Sequence, residues 1–321
     1  MNNARTQRGV ALITVLLIVA MATAVLYHLL TRQALVVAQT RQLMRADQTL
    51  AYAMGGEAYA RQILFDDWNQ PTTRAIDTLT EAWAVPSSPF EIDGGTLELS
   101  IEDLDRRFNL NALAGDHAAQ NVQRFKTMLG VLGLDPKIAD VWKDWIDSDS
   151  EASGFGAEDS VYLVATPPYR TANQPAGSTS ELMLLGLLDP DQLAVLLPHV
   201  ATLPTTQLKI NVNTADAVTL QSLTPQLSQA RAQSLVESDR QYQDANALVA
   251  EIPELNAGLD AMTVTSQYFE IHTRVEIDGQ RTELTSLVYR NPGNGRITLL
   301  GRDFGRRLPS VVDDTEQAKA S

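Results

Sequence analysis

Six carboxylates crowd into 16 residues: Asp144, Asp147, Asp149, Glu151, Glu158 and Asp159. Like charges this close repel unless a cation sits among them. Counted from Asp147, the acids fall at positions 1, 3, 5 and 12 of a calcium-type loop, with Glu158 in the bidentate place, and a hard cation prefers such an all-oxygen set. Position 6 is Ala152 where an EF-hand needs glycine, so the likeness is to the ligand logic, and Gly154 and Gly156 imply a loop bent in another way. Asp147, Asp149, Glu151, Glu158 and Asp159 are therefore the candidate ligands of a structural calcium ion. The competing reading is a solvated acidic loop. Trp142, Trp145 and Tyr162 argue against it, because aromatic side chains on both flanks anchor the loop to a core.

Other chemistry is thinly represented. With no cysteine in the chain, thiol nucleophiles, disulfides and Cys-ligated metals are excluded. The four histidines, His28, His117, His199 and His272, show no HExxH spacing, and no nucleophile elbow, phosphate loop or dinucleotide glycine motif is present, so the chain reads as non-enzymatic. Asn211, Asn213 and Thr214 open a segment similar to a helix-hairpin-helix DNA-binding module. Its turn, residues 223–227, lacks the glycines that bring backbone amides to phosphate, and Glu237, Asp239 and Asp244 repel a polyanion. A net charge of -14 points the same way: no nucleic acid is expected as partner. Asn109-Leu110-Asn111 echoes Asn211-Val212-Asn213.

The elements that carry these residues divide into a long helix, a split sheet and an insertion. From Val10 to Leu30 no residue is charged, a run long enough to cross a bilayer as a helix. Arg5 and Arg8 precede it, which places the short tail in the cytoplasm and the rest beyond the membrane. Small residues at Ala20, Ala22 and Ala24 also fit a cleaved secretory signal, but helix formers continue to about residue 65, interrupted only where Gly55-Gly56 weakens the helix. Val36, Leu43 and Leu50 recur every seven residues along it, an apolar seam that needs something packed alongside. Alternating apolar and polar residues predict strands near 90–103 and again near 267–302, each set with a Gly-containing turn. A lone hairpin is marginal, so both sets should share one antiparallel sheet packed on the helix. The fold class is thus α+β, with residues 66–104 and 264–304 forming one head, an all-α domain at 105–263 inserted between strands, and a disordered polar tail at 305–321.

The amino terminus resembles the type IV prepilin-like proteins: Arg8-Gly9 closes a short basic leader, residues 1–9, before an uninterrupted apolar run. The resemblance implies that prepilin peptidase cuts after Gly9 and leaves Val10 as an N-methylated terminus. Most of that class carry glutamate at the fifth mature position, where this chain has Thr14. That departure, with Asn109, Asn111, Trp145, Asp147, Asp149, Gly156, Glu158, Ser180, Glu181, Asn211, Thr214, Ser266 and Phe269 in order along the chain, resembles the minor pseudopilin K family of type II secretion, general secretion pathway protein K. The resemblance implies a single-pass protein of the bacterial inner membrane with a periplasmic head, bound calcium, and a tip complex with minor pseudopilins I and J and the other pseudopilins. Bulk independently favours a tip position, since an insertion this large does not stack under the next subunit of a narrow fibre. A membrane-anchored exported hydrolase and a DNA-binding competence-type pilin are the alternatives. The first lacks a catalytic set and the second lacks the hairpin glycines and the positive charge.

Overall fold

The structure, a computed structural model, describes residues 6–85 and 88–305. The expected leader therefore lies mostly outside the described residues, as does the expected tail beyond Gly305. Helix α1 (Thr6–Asn69) runs unbroken for 64 residues, roughly 95 Å at 1.5 Å per residue. Gly55-Gly56 does not interrupt it. The reason is packing: a Cβ on Gly56 would come within 2.9 Å of the Thr273 methyl and 3.3 Å of Leu97, so the missing side chain lets the helix lie close on the sheet.

That sheet has β1 (Phe90–Ile92), β2 (Gly95–Asp103), β7 (Tyr268–Ile277), β8 (Gln280–Arg290) and β9 (Ile297–Asp303) in this spatial order, every pair antiparallel. Strands β2 and β7 pair without a slip from Gly95↔Ile277 to Asp103↔Phe269 although about 160 residues separate them in sequence. Their alternation buries Leu97, Leu99, Ile101, Phe269, Ile271 and Val275 against Ala53, Ala60 and Leu64 of α1. Glu57, almost fully buried, rivets the layers. Its carboxylate accepts from Ser286 Oγ (2.8 Å) on β8 and from Arg302 Nε (2.6 Å) and Nη2 (2.9 Å) on β9.

The inserted segment contains short helices: α2 (Ala118–Val131), α3 (Lys137–Ile146), α4 (Asp159–Tyr162), α5 (Pro190–Leu196), α6 (Ala217–Ser222), α7 (Gln229–Glu237) and α8 (Ala245–Glu251). Asp216, Ser228 and Asp244 cap α6, α7 and α8 with side-chain oxygens, and Pro190 takes the first position of α5. The insertion is not wholly helical. Two parallel strand pairs of two residues each, β3 (Phe108–Asn109) with β4 (Val200–Ala201) and β5 (Ile210–Asn211) with β6 (Met262–Thr263), close it.

These pairs give the two Asn-x-Asn tripeptides a common role. In each, the first Asn side chain accepts from the backbone N–H two residues on, Asn111 (3.2 Å) or Asn213 (3.0 Å). The second Asn then clamps both backbone groups of one distant residue: Asn111 holds Ala176 and Asn213 holds Tyr242. The echo in sequence is a repeated device that starts each half of the insertion. One core of Phe108, Leu113, Phe125, Met128, Trp142, Ile146, Leu182, Ile210, Leu220 and Leu248 runs through both halves.

Candidate metal centre and assembly helix

Helix α3 ends at Asp147, whose extended backbone turns the chain into the acidic loop. The loop is anchored as its aromatic flanks predict. Trp142 donates its indole N–H to the Leu110 carbonyl (3.1 Å), Trp145 donates to Glu181 Oε2 (3.0 Å), and Tyr162 meets Trp145 edge-on at 5.3 Å. Carboxylate oxygens of Asp147, Asp149 and Glu158 all lie within 4.8 Å of one another. Asp147 Oδ1 and Glu158 Oε1 are buried without any hydrogen-bond partner, and Glu158 is only 6% exposed. Burial first, and then the charges of Asp144, Asp147 and Asp149, push the Glu158 carboxyl above its usual range against the Thr171 hydroxyl that donates to it. Buried orphan oxygens converging with like charge are what a hard divalent cation satisfies, and the donor set contains no nitrogen or sulfur.

The remaining two candidate ligands are placed elsewhere. Glu151 is exposed, and its N–H donates to Asp149 Oδ1 (2.9 Å), so it shapes the turn that presents Asp149. Asp159 pairs with Arg170 (2.8 Å) and accepts from the Thr171 N–H (3.1 Å), tying the loop to the following segment.

Residues outside the five candidate ligands surround the loop. Asp144, fully buried, accepts from Ser153 N (2.9 Å) and Oγ (2.5 Å). A Cβ on Gly156 would fall 1.7 Å from Asp144 Oδ2, so this glycine is required by the close approach rather than by a turn. Lys143 Nζ reaches Asp147 Oδ2 (2.9 Å) and leaves Oδ1 buried without a partner. Asn173 donates its N–H to the Trp145 carbonyl (3.0 Å) while its Oδ1 is buried and unpartnered.

Two other acidic groups occur among the described residues, Asp67 with Asp77 and Glu81, and Glu102 with Glu270 and His272. In both an arginine already holds acids of the group: Arg290 on Asp67 and Asp77, Arg107 on Glu102.

The assembly residues lie on α1. Gly9 and Val10 fall in its first turns, and Thr14 Oγ1 donates back to the Ala11 carbonyl (2.9 Å), so no charge stands at that position. Val36 and Leu43 are exposed, whereas Leu50 is half-buried where the helix meets the sheet. The seam is thus open only on the amino-terminal part of the helix. The helix is long and apolar enough to cross a membrane.

The family model for type II secretion system (T2SS), protein K, matches residues 106–205, the first half of the insertion including the acidic loop. Type II secretion system protein K of Pseudomonas aeruginosa is 35% identical, over 97% of this chain and 97% of its own length. The chain belongs to the type II secretion system protein K family. The Aeromonas hydrophila protein K is 30% identical over 93% of this chain and 98% of its own. A chain in the crystal structure of the GspK-GspI-GspJ complex from enterotoxigenic Escherichia coli superposes with a TM-score of 0.75 at 26% identity, covering 84% of this chain and all of that one. As a protein K family member the chain is a minor pseudopilin of type II secretion, and its fold is α+β, a long amino-terminal helix packed on an antiparallel sheet that carries a mostly helical insertion.

Proposed function

We propose that the protein is a non-catalytic tip subunit that helps start a pseudopilus, with minor pseudopilins I and J as its partners. The observation that carries this reading is the bare apolar stripe of α1. Val36, Leu43 and the residues around them are exposed among the described residues, yet the same helix continues without a break into the sheet core. Such a helix is a shaft for lateral packing with like helices. The related chain was crystallised in complex with GspI and GspJ, which supports these partners. Thr14 suits a first subunit that need not neutralise the amino group of a neighbour, and the bulk beyond β2 and β7 suits an end position.

In this reading prepilin peptidase cuts between Gly9 and Val10, and the first part of α1 holds the protein in the inner membrane with its head periplasmic. Asp147, Asp149 and Glu158 hold a structural calcium ion, and the ion supplies only the charge that these buried oxygens need. Glu151 and Asp159 shape the loop from outside.

Co-isolation of the full-length protein with its two partners from membranes tests the reading. Leu43→Asp with Val36→Asp should leave the protein inserted and the head folded but reduce the recovered complex at least tenfold, because each change places an unpaired charge in a packed seam. Undiminished recovery would show that the helix is not the assembly surface.

A further inference from the structure

The chain leaves the sheet at the end of β2 and returns at the start of β7, and the two crossings meet in a buried polar joint. Asp103 Oδ2 accepts from Thr214 Oγ1 (2.6 Å) and Ser266 Oγ (2.7 Å). Asn211 Nδ2 donates to Ser266 Oγ (2.8 Å) and to the Asp77 carbonyl (3.1 Å), and the Asn211 N–H donates to the Asp105 carbonyl (2.8 Å). Asp105 Oδ2 accepts from the N–H groups of Gln267 (2.5 Å) and Tyr268 (3.0 Å). Arg290 donates to Asp67 Oδ2 (2.9 Å), to Asp77 and to the Ser266 carbonyl (2.9 Å). Asp67, Asp77, Asp103, Asp105, Asn211, Thr214, Ser266 and Arg290 are all buried. The joint therefore stitches α1, the loop after it, the sheet and the second half of the insertion together.

Its charges do not balance. Asp67, Asp77, Asp103 and Asp105 face one guanidinium, that of Arg290, which is committed to the first two. Glu81, on the turn after Asp77, adds another acid, and the Tyr268 phenol stands beside Asp105. Arg240, also buried, spends its Nη1 on the carbonyls of Val212 (2.8 Å) and Ala215 (2.7 Å). Asp103 and Asp105 are left as adjacent buried carboxylates with hydroxyl and amide donors only, and two such charges together are costly enough that one group keeps its proton.

We propose that the inserted domain is locked to the sheet by a proton retained on one carboxyl of the buried Asp103–Asp105 pair, and that the lock releases when this proton is lost, so that pH sets how rigidly the insertion is held. Burial, and next the charge of Asp103, push the Asp105 carboxyl up to about 8, and burial likewise raises Asp103. The sign follows from linkage. In the unfolded chain both acids ionise in the ordinary Asp range, while the closed joint keeps its proton. The stabilisation is complete below that ordinary range and is lost as pH rises through the value in the fold, at about tenfold in the closed-to-open ratio per pH unit.

The chain has no cysteine, so labels can be placed singly. In the full-length protein in detergent, spin labels at Gln123→Cys in the insertion and Glu276→Cys on β7 report the distance across the joint. A narrow distribution is expected at about pH 6 and a broad one at about pH 9, with an infrared band of a protonated carboxyl present only at the lower pH. Asp105→Asn keeps the two accepted N–H bonds without a titrating proton, so it should stay narrow at both pH values. Equal distributions at both pH values in the parent protein, or no protonated carboxyl band at the lower one, would overturn the proposal, and so would an Asp105→Asn protein that keeps the whole pH response. If that variant does not fold, the parent's band and distances still decide.

Discussion

Glu158 and Glu151 show what separates a buried acid of the cluster from a surface acid. Both are read from spacing as members of one oxygen set, but Glu158 is buried with an orphan oxygen, while Glu151 faces solvent. Spacing locates the loop in which the carboxylates of Asp147, Asp149 and Glu158 converge, and a repulsive cluster held between aromatic anchors is hard to keep folded without a cation. Spacing does not show that Glu151 and Asp159 lie apart from the other three, because the turn closes through Gly154 in the left-handed region and Gly156 against Asp144. The burial of Asn173 is illegible in the sequence, since nothing in a proline-rich segment marks one amide oxygen as buried and unpartnered. If calcium fills this site, chelation should lower the melting temperature by roughly 5–10 °C, since a ligand at a hundred times its Kd stabilises by about 3 kcal/mol. Glu158→Ala should melt at the chelated temperature and ignore added calcium, while Glu151→Ala should respond as the parent does. Calorimetric scans with and without calcium check both, and a Glu158→Ala protein that still responds would show that the ion binds away from this loop.

At the level of elements, the heptad pattern of α1 predicts a packed seam but does not say where the packing is supplied by the chain itself. Helical periodicity is the same whether a stripe faces lipid, a partner or a sheet. The sheet claims the helix from Thr49 onward, where Thr49 is fully buried and shares a 2.7 Å hydroxyl contact with Thr282. Gly56 and Glu57 carry the closest contacts, and composition alone makes that glycine look like a breaker and that acid like a solvent-facing residue. Burial acts to raise the Glu57 carboxyl, but Arg302 and Ser286 outweigh it and hold it below the usual carboxylate range. The stabilisation it gives is therefore present above the ordinary Glu range and is lost as pH falls through the depressed value in the fold. Glu57→Gln, which keeps shape but removes the charge facing Arg302, should cost about 3 kcal/mol near neutrality, and the gap to the parent protein should close in acid. Denaturant melts at several pH values measure this, and a constant gap would mean that the carboxylate charge contributes nothing.

For the molecule as a whole, the insertion is the feature that separates this chain from a simple helix-and-sheet subunit, and the sheet does not need it for register. Strands β2 and β7 are paired to their ends, and the Leu104 N–H still reaches the Tyr268 carbonyl (2.9 Å) after the ladder stops. Two chain ends this close can be joined by a tight hairpin turn, and an antiparallel pair favours a two-residue Asn-Gly link. Replacing residues 105–267 by such a link, which keeps Leu104 opposite Tyr268, should therefore give a protein that still inserts through α1 and melts cooperatively. It should be less stable than the parent, because Asp77, Asp103 and Arg290 then lose Asn211 and Thr214 as neighbours and part of their burial. Its place in the fibre should change as well. With the bulk removed, the steric bar to being covered by another subunit is gone, while Thr14 still lacks the charge that draws a neighbouring amino terminus. Crosslinking in membranes should then find it with pseudopilins on both sides at low yield, whereas the parent is found with neighbours on one side only. A shortened protein confined to one side would show that Thr14 and the helix dictate the tip position without help from the insertion. One that cannot fold would show that the joint at Asp103 and Ser266 is part of the sheet's own core.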